Sequence, residues 1–159
     1  MSRSGADLAL LMLGGFRSLV DAATLELAAR GFEDVRPVHD FALRAIAAGA
    51  DSASELGRQM SVTKQGAART VTVLEERGYV ARTVDPTDAR RMRLHVTDRG
   101  FAMLREGEAI FDELRDQWQQ RIGPAKLAEL ESLLTELIGT EPIRLDTPGW
   151  LSRDLGESI

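Results

Sequence analysis

The 159-residue chain contains no cysteine, which excludes disulfides, thiolate chemistry and a cysteine-based redox switch. Histidine occurs only at His39 and His95, far apart and in no metal-ligand spacing, so no metal site is expected. The fingerprints G-x-S-x-G, P-loop, H-E-x-x-H and dinucleotide-binding are all missing, and nothing places a nucleophile beside a base. Neither an enzyme nor a cofactor is therefore expected. Long apolar runs are missing too. The longest near the N-terminus, Leu8 to Leu13, falls short of a membrane span or a signal core, and Asp7 directly precedes it. The expectation is a soluble, cytoplasmic protein with no membrane partner. No internal repeat is present. Lysine is scarce, two against eighteen arginines, a bias that genome composition explains as readily as function.

What is present fits one globular domain with at most a small appendage: 43% apolar and 28% charged residues. The net charge is −5, yet it is unevenly spread. Residues 58–99 hold nine Lys/Arg against five Asp/Glu, a balance of +4, and the remainder carries −9. Two accounts fit such an asymmetry: a polyanion-binding module on an acidic scaffold, or ordinary solvated helix faces.

Periodicity predicts the element order. Apolar residues near helical spacing run from Ala6 to Arg30, and Gly31 supplies a stop. Pro37 can open a second helix with Val38, Phe41, Ala42, Ala45 and Ile46 on its core side, closing at Gly49. Ser52 and Glu55 fit a capping box for a short helix through Met60, with Leu56 in the core. The next helix begins near Ser61 to Thr63 and ends at Arg77 before Gly78. Tyr79 to Val84 reads as a strand and Asp85-Pro86-Thr87-Asp88 as a turn. On the return strand Met92, Leu94 and Val96 alternate with Arg91, Arg93 and His95. Thr97 caps a long helix to Ile122 carrying Leu104, Phe111, Leu114, Trp118 and Ile122 on its apolar side. Gly123-Pro124 restarts the chain into a last helix striped by Leu127, Leu130, Leu134 and Leu137. Residues 140–159 read as an irregular tail.

Two short helices followed directly by a hairpin make a winged helix-turn-helix order. The class is mainly α with a small β-hairpin wing, and the long apolar helices at both ends call for a partner, most simply a second copy. On a wheel of the fourth helix, Ala67, Thr70, Val71 and Leu74 form the core face, while Gln65, Arg69 and Thr72 lie opposite with Ala68 at the margin. Gln pairs bidentately with adenine and Arg with guanine, and Ala or a Thr methyl packs on the thymine methyl. Thr63 and Lys64 sit at the dipole-positive helix start, where phosphate binds. Arg90 and Arg91 near the hairpin tip suit a narrow minor groove, with Asp85 and Asp88 holding the turn and orienting the arginines.

The stretches SELGRQMSVTKQGAARTVTVLEERGYVAR and DPTDARRMRLHVTDRG resemble the MarR-type winged-helix regulators. Asp85-Pro86, Asp88 and Arg90 match that family's wing turn, and Val96-Thr97 with Gly100 matches the start of the helix behind it. Ala89 departs from the pattern, standing where the first arginine of a pair is usual; Arg91 can compensate. The likeness is tight over about a third of the chain, and the helix order extends it to residues 6–139. The resemblance implies a homodimer on near-palindromic double-stranded DNA, usually as a repressor, often released by a small aromatic ligand. Residues 37–100 would be the DNA-binding domain, and 1–36 with 101–139 the dimerisation region. Arg17, His39 and Trp118 are polar-tipped or aromatic residues on apolar helix faces and are the candidates to line a ligand pocket. The rival expectation is a winged-helix protein that pairs with another protein and reads no DNA.

Overall fold

The computed structural model describes residues 4–139; the proposed tail lies outside them. Six helices and one hairpin follow in the order α1 (Gly5–Ala29), α2 (Pro37–Ala47), α3 (Ala53–Met60), α4 (Lys64–Glu76), β1 (Val80–Asp85), β2 (Asp88–Val96), α5 (Asp98–Ile122) and α6 (Pro124–Ile138). This is the mainly helical winged arrangement expected. Contacts divide the chain into two compact units, one of residues Val35–Glu106 and one of the described residues up to Asp34 and from Gly107 onward. Helix α5 contributes to both.

The first unit is built on α2, α3 and α4, with β1 packed on α4 and β2 on α2. Its core contains Leu43, Leu56, Val71, Leu74, Tyr79, Leu94 and Met103. The N-cap serines and threonines behave as their chemistry dictates. Ser52 Oγ accepts from the Glu55 amide at 3.2 Å and Thr63 Oγ1 from the Gly66 amide at 3.0 Å, each satisfying a donor the helix start leaves open. The capping box of α3 is only half made. The Glu55 carboxylate turns outward to Gln59 and Arg58 instead, and the Gln59 hydrogen bond, then Arg58, holds its pKa below the ordinary value.

Between α3 and α4 lie only three residues, Ser61, Val62 and Thr63. Ser61 takes the left-handed conformation at φ 53°, and the Val62 amide returns to the Gly57 carbonyl at 2.9 Å. A Cβ on Gly57 would stand 3.0 Å from the Val62 oxygen, so the turn closes against a position with room for little more than hydrogen.

Several sequence expectations are corrected. The buried stripe of α2 is His39, Ala42, Leu43 and Ile46, whereas Val38, Phe41 and Ala45 are only half-buried. The true stripe follows the i, i+3, i+4, i+7 rule with an imidazole in it, and counting histidine as polar hid it. Met92 does not join Leu94 and Val96 in the core; it is 47% exposed, opposite Val84 at 54%. The hairpin outruns the helices beneath it. On α5, Met103 and Ile110 are buried, while Phe111 and Ile122 are exposed.

The second unit buries Ala23, Leu27, Phe32, Ile110 and Leu127. Arg30 spans to Glu113 with contacts of 3.1 and 3.0 Å, and Arg115 to Glu131 at 2.7 and 3.0 Å. Much apolar surface stays uncovered: Leu8, Leu10, Leu11 and Leu25 on α1, and Leu130, Leu133, Leu137 and Ile138 on α6. Among the described helices α1 is long and apolar enough, by length and composition alone, to cross a membrane. The run Leu8 to Leu13 understated it, because alanines, glycines and the Leu19-Val20 pair continue its apolar character.

Candidate nucleic-acid interface

Helix α4 turns Ala67, Val71 and Leu74 into the core. With 100° between successive residues, the opposite side is then solvent-facing by geometry. Thr63, Lys64, Gln65, Arg69 and Thr72 are all exposed, and Ala68 is half-buried at the margin. The Thr63 oxygen is occupied as a cap acceptor, which leaves its O–H free to donate. Thr72 Oγ1 donates to the Ala68 carbonyl at 3.0 Å, so its hydroxyl is engaged by its own helix while the residue stays exposed. The outer face therefore offers an amide, a guanidinium, an ammonium and a methyl, with no carboxylate until Glu75 and Glu76 at the far end.

Glu75 is engaged by the wing. Its carboxylate accepts from Arg82 Nε at 2.7 Å and from Arg82 NH2 at 3.3 Å. This hydrogen bonding raises the Arg82 pKa and fixes the base of the hairpin to the end of α4.

The hairpin ladder pairs Val80 with Val96 through Val84 with Met92, then jumps to Asp85 with Asp88. Ala89, Arg90 and Arg91 fall in the irregularity, three residues on β2 that face no partner on β1. The turn is held by Asp85, whose side chain is buried. Its Oδ1 accepts from the Thr87 amide at 2.8 Å and the Thr87 hydroxyl at 2.7 Å, and its Oδ2 lies 2.8 Å from Arg93 Nε. The Thr87 hydroxyl, then the Thr87 amide, holds the Asp85 carboxyl below its ordinary pKa, against the opposing effect of burial; Arg93 adds to the lowering. Asp88 Oδ1 accepts from the Arg90 amide at 3.0 Å. Both aspartates thus hold the turn, as the local sequence suggests.

One participant was not visible in the sequence. Asp51, in the connection between α2 and α3, accepts from Arg91 NH2 at 2.8 Å, and its other oxygen lies 3.3 Å from Arg93 Nε. Its carbonyl also accepts from the Leu94 amide at 2.9 Å. Forty residues separate Asp51 from Arg91, and no local pattern announces such a pair. Lys64, Arg69 and Arg90 make no ion pair of this kind among the described residues.

Behind the wing, Thr97 Oγ1 donates to the Gly78 carbonyl at 2.5 Å and accepts from the Gly100 amide at 3.1 Å. A Cβ on Gly100 would lie 2.2 Å from the Tyr79 oxygen and 2.6 Å from Val96 Cγ1. Only glycine lets α5 start this close to the strand. The Arg99 guanidinium sits 5.4 Å from the Tyr79 ring centre.

The three residues expected to line a pocket do not all fall in one unit. Arg17 and Trp118 belong to the second unit, with Trp118 packed 3.7 Å from the Cβ position of Gly15. His39 belongs to the first, buried, with Nδ1 accepting from the Arg36 amide at 3.1 Å as a cap for α2.

The model of the MarR family matches residues 37–91. The chain is 34% identical over 87 residues to a putative transcriptional regulatory protein for the hcr operon of Thauera aromatica, covering 54% of this chain and 52% of that protein. It is 28% identical over 79 residues to the HTH-type transcriptional regulator BilQ of Clostridioides difficile, covering 50% and 53%. The match thus spans about half the length of these curated relatives. Among solved structures, FabT of Streptococcus pneumoniae in complex with DNA superposes with a TM-score of 0.67 at 18% identity, covering 85% of this chain and 95% of that one. Motif, hairpin and fold agree: the chain has a winged helix-turn-helix fold, and residues 37–91 are similar to the MarR family.

Proposed function

We propose that the protein is a transcriptional regulator that binds double-stranded DNA sequence-specifically, as a homodimer on a near-palindromic operator, and represses transcription. The observation that carries this is the outer face of α4. Gln65, Arg69 and Thr72 stand exposed beside Ala68, with Thr63 and Lys64 at the helix start and no acid among them. In the major groove Gln65 and Arg69 would read base edges and Thr63 and Lys64 would meet phosphate. Arg90 and Arg91 supply the wing's positive charge toward the adjacent minor groove. A protein-docking module has no need for this set together.

The homodimer is supported by the apolar surface of α1 and α6. Contiguous apolar faces of this kind mark interaction surfaces, and two-fold pairing would set the recognition helices about 34 Å apart, one DNA turn. A membrane is the poorer cover for α1, because Arg17 and Asp21 would lie near the middle of the bilayer, where charge is costly. The protein is accordingly assigned to the cytoplasm. Light scattering should give twice the 17.4 kDa chain mass, and selection from random duplexes should return two related half-sites. A monomer, or a pool without consensus, would sink the proposal.

Release by a small aromatic ligand belongs to the same reading, with Arg17 and Trp118 as the groups to test and His39 as the capping residue of α2. In Trp150→Phe protein, a phenolic acid bound beside Trp118 should quench the remaining indole and weaken operator binding. Unchanged fluorescence and unchanged DNA affinity would remove the ligand from the scheme.

A further inference from the structure

The wing carries two neighbouring arginines that differ in their surroundings. Arg91 is held by Asp51 at 2.8 Å, and the same carboxylate reaches Arg93 at 3.3 Å, which in turn meets buried Asp85 at 2.8 Å. Two acids and two arginines thus link the α2–α3 connection to the hairpin, beside the backbone bond from Leu94 to the Asp51 carbonyl at 2.9 Å. Ala89, Arg90 and Arg91 have no ladder partners on β1, so side-chain pairing largely decides where this segment points. Asp51 thus draws Arg91 toward the α2–α3 connection, while the Arg90 guanidinium has no acidic partner among the described residues.

We infer that Asp51 is a positioning residue for DNA binding: it commits Arg91 and Arg93 to anchoring the wing and leaves Arg90 as the wing arginine that meets the nucleic acid. The inference rests on the DNA-reading proposal above. It divides between two arginines a role that their adjacency makes look shared. Asp51 would not touch DNA. Its contribution is the direction in which the irregular segment projects Arg90. Each anchoring pair is partly exposed and individually weak; the bridging carboxylate makes them act together.

The test uses the full chain, four single variants (Arg90→Ala, Arg91→Ala, Asp51→Asn and the conservative Asp51→Glu) and the double variant of Asp51→Asn with Arg91→Ala. Operator affinity is measured across a salt series, and amide exchange of the hairpin tip is followed in the free protein. Arg90→Ala should reduce the slope of log affinity against log salt by about one, the loss of one phosphate-type contact. Arg91→Ala and Asp51→Asn should keep the wild-type slope while weakening binding by roughly two- to fivefold, the scale of an exposed ion pair. Combining those two should cost no more than Asp51→Asn alone, because that variant already releases Arg91. Both should speed exchange at residues 89–92, and Asp51→Glu should recover most of the affinity and protection.

A slope loss in Arg91→Ala equal to that in Arg90→Ala would overturn the inference, as would tighter binding by Asp51→Asn. Unchanged tip exchange in Asp51→Asn would overturn it without reference to DNA. If wild-type protein itself shows no salt-sensitive binding, the DNA-reading proposal fails, while the exchange comparison still decides whether Asp51 holds the tip.

Discussion

Gly100 and Asp85 show how single residues set the wing. At Gly100 even one methyl would meet the Tyr79 carbonyl at 2.2 Å, and a backbone oxygen cannot swing aside as a flexible side chain could. Gly100→Ala should destabilise the first unit by about 1–3 kcal/mol or more, read as a lower urea midpoint with an unchanged m-value. Asp85 makes a prediction in pH. Its folded pKa is depressed below the ordinary 3.8, chiefly by the Thr87 hydroxyl. The stabilisation is therefore complete above the unfolded value and is lost as pH falls through the folded one. Hairpin order should fade only below about pH 4, and Asp85→Asn should flatten that acid limb in a pH series of tip amide exchange. The role of Asp85 was legible because its partner Thr87 is two residues away, in a turn whose chemistry is local. That of Asp51 was not, because its partners are some forty residues on.

Among the elements, α4 is where sequence and structure agree most closely. Its core and outer faces follow from the 100° step alone, and the structure buries Ala67, Val71 and Leu74 while leaving Gln65, Arg69 and Thr72 exposed. If the outer face reads bases, Gln65→Ala and Arg69→Ala should each cost roughly 1–3 kcal/mol against the operator and relax preference at one position per half-site. Competition titration with single-base variants measures this; equal losses on every sequence would reassign both side chains to phosphate. The hairpin was legible as a hairpin, from its turn residues and alternation. Its irregular register was not, since period-two alternation assumes an unbroken ladder; Met92, still paired with Val84, was misplaced because the hairpin outruns the helices beneath it. In α2 the helical period found Ala42 and Ile46 but missed Leu43 and His39, because a buried histidine capping its own helix carries no apolar signal.

At the scale of the whole molecule, the helices at both ends keep apolar side chains in water, with Leu10 66% and Leu137 81% exposed. A face that packs on nothing in one chain is recognisable in sequence only as an excess of leucine, which cannot say what covers it. If a second copy does, Leu10→Glu and Leu137→Glu should leave the far-ultraviolet circular dichroism spectrum unchanged and lower the mass measured by light scattering toward that of one chain. DNA affinity should fall with it, because one half-site holds far less tightly than two. The central claim, that an acidic protein presents a basic, base-reading face, is tested most directly by fluorescence anisotropy. The purified protein is titrated against the intergenic DNA upstream of its own gene and against an unrelated duplex, each at two salt concentrations. Tight binding to the upstream duplex that weakens steeply with salt is the expected result. No measurable binding to either duplex, even at low salt, would contradict it and favour a winged-helix module that docks on protein.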